Sequence, residues 1–213
     1  MKKMMSWIVI MLLVLPLAAQ EITLPQKKSG LAFSAGISVP LLCFAAEDPA
    51  IQTSGFAKPG FTFDISYTYR FNSWTGIKTM LYYASNKAGN SRVPALAAAN
   101  HYRAVGWMAG PLLYKSFSGK WEAAFSPLAG ISKVWTPELT RQNETWLYKQ
   151  SAPCFSWGGE LSIAYSINEK NSFHLKTGHL NMKPQFSRHP GETAKSEQHF
   201  VLVNVDAGWG WTF

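Results

Sequence analysis

The sequence predicts an all-β fold: an eight-stranded antiparallel up-and-down β-barrel that crosses a lipid bilayer. Three observations predict it. Apolar and polar residues alternate with a period of two in eight segments, and the connections between those segments alternate between long and short. No stretch after residue 19 is continuously apolar over the roughly 20 residues a spanning helix needs, so any crossing is made by strands.

Residues 1–19 read as a secretory signal peptide. Lys2 and Lys3 form the positive start, Trp7 to Leu17 the apolar run, and "LAAQ" offers a cut after Ala19. The run is too short to span a bilayer, and no cysteine stands at the cut to carry a lipid anchor. Removing this segment takes away two lysines and no acid, which lowers the formal net charge from +8 to +6. The remaining Lys and Arg are scattered without a dense patch, so nucleic acid is not an expected partner. Residues 20–30 are expected to be a short periplasmic tail, and 31–213 the barrel.

The first strand, "LAFSAGISVPL" (31–41), places Leu31, Phe33, Ala35, Ile37, Val39 and Leu41 on one face. The second, "FTFDISYTYRF" (61–71), alternates without a break: Phe61, Phe63, Ile65, Tyr67, Tyr69 and Phe71 against Thr62, Asp64, Ser66, Thr68 and Arg70. In "GIKTMLYY" (76–83) the charge sets the phase, and with Lys78 inward Ile77, Leu81 and Tyr83 point outward. Segments 105–117, 121–135, 154–167, 172–180 and 201–213 complete an even number of strands. The seventh has the weakest pattern, with Thr177 and His179 outward. Connections 42–60, 84–104, 136–153 and 181–199 are long and polar; 72–75, 118–120 and 168–171 are short. In a barrel crossing a bilayer the short turns lie on the periplasmic side and the long loops outside.

A soluble barrel or sandwich also alternates, but its polar face is then its surface and carries many charges. Here that face is mostly Gly, Ser, Thr and Ala with a few charges, which suits the narrow interior of eight strands. The apolar face carries rings at both ends. Tyr69, Phe71, Phe117, Trp121, Tyr165, Phe173, Trp211 and Phe213 lie near the short turns, and Phe61, Tyr83, Tyr102, Trp135 and Phe155 near the long loops. Aromatic side chains settle at the two headgroup levels of a membrane.

The signal peptide, the eight alternating strands and the terminal "GWGWTF" together resemble bacterial outer-membrane β-barrel proteins. The likeness is to porin-family, OmpA/OmpX-like barrels with an "outer membrane protein beta-barrel domain" of the Bacteroidetes type, and it covers roughly residues 25–213. It implies localisation in the cell outer membrane, contact with its lipid and lipopolysaccharide, and a last strand read by the barrel-assembly machinery through Phe213, with Trp211 and Trp209 in phase.

The inward phase holds Asp64, Arg70, Lys78, Glu122, Glu160, Lys176 and Asp206, with His174 beside them. Glu160, Lys176 and Asp206 are expected at mid-height on consecutive strands, and Arg70, Lys78 and Glu122 lower down. Buried charges are costly unless paired, so two salt-bridged layers plugging the lumen are expected; a narrow ion path lined by the same groups is the alternative. Lys115 and Lys133 fall in the lipid-facing phase near strand ends, where a lysine snorkels to headgroups, unless a bulge shifts the phase. Cys43 and Cys154 both fall at the loop ends of strands. A disulfide and two unlinked apolar thiols are both open readings.

No chemistry is legible. Outer-membrane barrels that deacylate lipid A carry His-x-Ser-Asn, whereas "HLN" (179–181) lacks the serine, and His101, His189 and His199 have no telling spacing. No catalytic residue, metal or cofactor is expected. Loop aromatics Phe56, Trp146, Tyr148 and Phe186 either anchor an external partner, whose identity the sequence does not name, or pack the loops together or rest on lipid. The expected role is structural, surface contact or minor solute passage. Lipid A modification and loop-mediated adhesion are the rivals.

Overall fold

The computed structural model describes residues 29–47, 54–89, 96–98, 101–117, 119–141, 144–147, 149–187 and 195–213. The signal peptide and all but the last two residues of the expected tail lie outside them. Ser29 and Gly30 belong to the first strand instead.

Eight strands form the barrel: β1 Ser29–Leu41, β2 Ala57–Arg70, β3 Thr75–Ala88, β4 His101–Phe117, β5 Trp121–Trp135, β6 Ser151–Ser166, β7 Asn171–Met182 and β8 Phe200–Thr212. Each pairs antiparallel with its sequence neighbours, and β1 closes on β8. Most boundaries match the alternation, but β2, β3 and β4 run four to five residues further at the loop end than the pattern of faces indicates. Two small sheets lie among the long connections: 96–98 with 139–141 and 144–147, and 185–187 with 195–197.

Apart from a bulge between Ala57 and Gly60, every barrel register pairs odd-numbered residues with odd ones. Because side chains alternate faces, odd residues look out all round and even residues look in. Ile37, Phe61, Leu81, Trp107, Ile131, Phe155, Leu161 and Leu175 are therefore exposed, while Ser34, Thr62, Asp64, Ser126 and Ser156 are buried. The apolar face is the outside, as the sequence predicts. The odd–odd pairing of β5 with β6 runs unbroken through Lys133, so no bulge shifts its phase, and Lys115 and Lys133 are both exposed on the outer wall.

The ladder has one thin seam. Pairing of β4 with β5 stops after Ala109↔Ala129 and resumes at Leu113↔Phe125. Between them Pro111 and Pro127 stand opposite each other, and neither has an N–H to donate.

The closure of β1 on β8 depends on a glycine. Gly36 faces Asp206, and a Cβ there would lie 2.0 Å from the Val205 carbonyl oxygen and 2.6 Å from the Asp206 Cα. Both are backbone or backbone-adjacent atoms of the partner strand, so the strands must part. Gly36→Ala is expected to destabilise the barrel by about 3 kcal/mol, the upper end of overpacking penalties. Urea unfolding should show the lower midpoint; an unchanged midpoint would mean the seam relaxes freely.

Candidate functional site

The even-numbered side chains meet inside the barrel in two tiers. The lower tier is ionic. Lys176 on β7 donates to Asp64 Oδ2 on β2 at 2.5 Å and to Glu160 Oε2 on β6 at 3.3 Å. Glu160 Oε1 accepts from Lys78 of β3, across the lumen. Asp64, Glu160, Lys78 and Lys176 are all at most 6% exposed. Below them Arg70 Nη2 donates to Glu122 Oε1 at 2.7 Å, and its guanidinium lies 4.6 Å from the centre of the Tyr114 ring. Ser116 adds a longer hydrogen bond of 3.5 Å to the other Glu122 oxygen. His174, 9% exposed, shares a 2.9 Å hydrogen bond with Ser34.

Six of the seven sequence-predicted lumen residues thus form ion pairs, in a different grouping from that expected. Lys78 leaves the lower layer and reaches up to Glu160. Asp206 pairs in register with Lys176 on the neighbouring strand, yet its Oδ1 is buried without a hydrogen-bond partner, as is Asp64 Oδ1. A void of about 30 Å³ beside these groups is lined by Thr62, Asp64, Tyr82, Glu160, Lys176 and Asp206, with room for about one or two waters. A second of about 100 Å³ lies on the short-turn side, among Arg70, Lys78, Glu122 and His174.

The upper tier is apolar and was missed by sequence reasoning. Tyr82, Met108, Leu128, Val134, Leu180, Met182, Phe200 and Leu202 fill the loop-side half of the interior. Phe44 caps them. After β1 the chain turns back in a short 3₁₀ turn, Leu42–Phe44, entered with Leu42 at φ 54°, and this drops Phe44 into the mouth. The Phe44 ring lies 4.3 Å from that of Phe200 and meets Tyr102 edge-on at 5.0 Å. Tyr102 was expected in the outer aromatic belt. It is instead buried inside, with its hydroxyl donating to the Gly55 carbonyl at 2.6 Å. The reason is phase: β4 starts at His101, which makes position 102 inward. A polar chain underlies the cap, with Tyr82 Oη 2.5 Å from Ser132 Oγ and Ser132 donating to Ser156 at 2.8 Å. The signal was available in the even positions of β3 to β7, where Met80, Tyr82, Met108, Leu128, Val134 and Leu180 interrupt an otherwise small and polar phase.

Trp209 and Trp211 lie outward on β8, and Phe213, one residue past its end, is exposed in the same phase. Trp211 meets Phe33 edge-on at 5.6 Å, Trp209 Nε1 donates to Asn171 at 3.2 Å, and the Phe213 N–H donates to the Ser29 carbonyl at 3.0 Å. The last residues therefore lock the closing seam. The two thiols are free: Cys43 is exposed in the turn at the mouth and Cys154 is half-buried on β6, so the disulfide reading is not realised. Strands 1 and 6 are not neighbours in the barrel. Phe56 and Phe186 are buried, which favours loop packing over partner contact for these two; the side chains of Trp146 and Tyr148 lie outside the described residues. In the last loop, the hydrogen bond from His199, with Lys183 nearby, holds the exposed Glu197 carboxyl below the usual carboxylate range.

No protein-family model matches the chain, and no curated protein does. Solved structures do match in fold. Neisserial surface protein A is 11% identical with a TM-score of 0.54, over 88% of this chain and 98% of that one. Ail, the attachment invasion locus protein of Yersinia pestis, is 11% identical with a TM-score of 0.52, over 88% and 99%. The outer membrane protein OprG from Pseudomonas aeruginosa is 13% identical with a TM-score of 0.55, over 88% and 97%. The chain has the fold of the eight-stranded barrels of bacterial outer membranes.

Proposed function

We propose that this chain is a non-enzymatic outer-membrane barrel whose lumen is closed to solutes and which serves as a structural or surface-contact element. One observation carries the reading. Lys176 is held by Asp64 and Glu160 across the interior, at 4% exposure or less for the lysine, directly beneath an apolar tier capped by Phe44. An ion entering from outside meets hydrocarbon first and paired charges second. Eight strands leave little width for a path around either.

The same reading includes export by a cleaved signal peptide and contact with outer-membrane lipid and lipopolysaccharide. It also includes recognition of Trp209, Trp211 and Phe213 by the barrel-assembly machinery. The outward rings at both ends of the wall and the in-phase terminal aromatics support it. The order of short turns, long loops and final ring is the ground for reading the chain as a porin-family barrel of the Bacteroidetes type.

Lipid A modification is the second reading, favoured by a single contact: Ser85 Oγ lies 3.4 Å from His101 Nδ1 on the outward face. That is longer than the roughly 2.6–3.2 Å over which a base activates a nucleophile, and no carboxylate among the described residues bonds the ring's other nitrogen.

Planar-bilayer recording tests the proposal. The purified, refolded barrel is expected to give no sustained unitary conductance, and steady steps from the unaltered protein would overturn the closed lumen. Lipid A of unchanged mass after deletion of the gene is the expected result for a non-enzymatic barrel.

A further inference from the structure

The lipid-facing wall carries charge of one sign, concentrated on one side. Among the outward positions of the eight strands there is no Asp or Glu, because Asp64, Glu122, Glu160 and Asp206 all look inward. The outward basic residues are Lys87, His101, Arg103, Lys115, Lys133 and His179. Four of them stand exposed on the adjacent strands β3, β4 and β5, all at the loop end. Lys87 and His101 are a cross-strand pair. Arg103 is the next outward residue on β4, opposite Trp135, and Lys133 opposes Val105 one step below. With strands ~4.8 Å apart and outward residues ~6.7 Å apart along a strand, the four groups spring from an area about 10 Å wide and 13 Å tall.

Among the described residues none of the four makes an ion pair. Lys133 Nζ lies 5.3 Å from the centre of the Trp135 ring, and His101 makes only the long contact to Ser85. Among the described residues Glu47 pairs with Lys58 instead, and Glu138 lies three residues past the end of β5. Height fixes what the patch meets. Trp121, in the aromatic belt at the short-turn end, is twelve residues below Lys133 on β5. At ~3.3 Å per residue and ~40° tilt that is about 30 Å along the barrel axis, the thickness of the hydrocarbon, so Lys133 and the residues above it reach the opposite headgroup level. Directly beneath lie the exposed apolar side chains of Leu81, Val105, Trp107 and Ile131. A free anion has no use for that wall, whereas an acylated anion matches both parts.

We propose that Lys87, His101, Arg103 and Lys133 bind the phosphate groups of a phosphorylated glycolipid of the outer leaflet, with its acyl chains along Leu81, Val105, Trp107 and Ile131. The site rests on the outer-membrane reading, and lone Lys115 at the opposite end of β4 is its internal control.

The test is native mass spectrometry of the full barrel refolded in phosphatidylcholine nanodiscs doped with diphosphoryl lipid A. The unaltered barrel is expected to retain lipid A, to retain its dephosphorylated form at least roughly tenfold less, and to keep it in excess inorganic phosphate. Combined Lys87→Gln, Arg103→Gln and Lys133→Gln should cut retention by at least roughly tenfold, whereas Lys115→Gln leaves it unchanged and Arg103→Lys with Lys133→Arg preserves it. Full retention by the triple variant, equal loss in Lys115→Gln, or displacement by free phosphate would overturn the site. Heat-dependent gel mobility and insertion are scored first. A barrel that does not insert at all fails the membrane reading, while an inserted barrel without phosphate-selective retention fails only the site.

Discussion

Replacing Lys176 by Met is expected to lower the stability of the barrel by about 3–5 kcal/mol, the range for stranding a buried charge. Lys176 is the hub of the ionic tier: its ammonium meets Asp64 and Glu160, and Asp206 sits beside it on the neighbouring strand. Removing it leaves three carboxylates facing Lys78 alone. A buried, uncompensated carboxylate has lost its hydration without gaining a partner, so the folded state carries the whole penalty. The urea midpoint, read from the fraction of the chain that migrates as the compact form on an unheated gel, should fall accordingly. Adding Asp64→Leu to Lys176→Met removes the stranded charge with its former partner and is expected to recover most of the loss. If the single variant unfolds at the unaltered midpoint, the ionic tier contributes nothing to holding the barrel closed.

Phe44→Ala is the other large effect, with an expected loss of about 3–5 kcal/mol. The ring is 1% exposed and packs against Phe200, Tyr102 and the apolar tier beneath them. It lies on a turn that contributes no strand to the wall, so its removal leaves the β-ladder intact and a cavity at the mouth. Neighbouring Leu42 is 74% exposed, and Leu42→Ala should change stability by no more than about 0.5 kcal/mol. Urea unfolding followed by tryptophan fluorescence checks both. Equal midpoints for the two variants would show that the cap rests on the barrel without supporting it.

The wall of the barrel was legible residue by residue. "FTFDISYTYRF" alternates without a break, and the same phase carried through the short turns keeps odd positions outward all the way to Phe213. Lys115 and Lys133 followed that phase as well, with no bulge to rescue them from the lipid side. The lumen was legible as a list of charges and much less as a set of contacts. Asp64, Glu160 and Lys176 were each assigned inward, yet which carboxylate takes Lys176, and that Lys78 crosses to Glu160, depends on how far each strand is staggered against the next. Tyr102 shows how narrow the margin is: beginning β4 four residues earlier turned a belt ring into a buried one.

The sequence by itself determined the strand number, the sidedness of every strand and the closure of the chain on its own aromatic end. Those follow from a period of two and from turn chemistry, both of which are local. Only the tertiary structure decided the pairing inside the lumen, the apolar tier under Phe44 and the gathering of Lys87, His101, Arg103 and Lys133 on one flank. These depend on the stagger between strands and on where a loop folds back, and no alternation along a single strand encodes either.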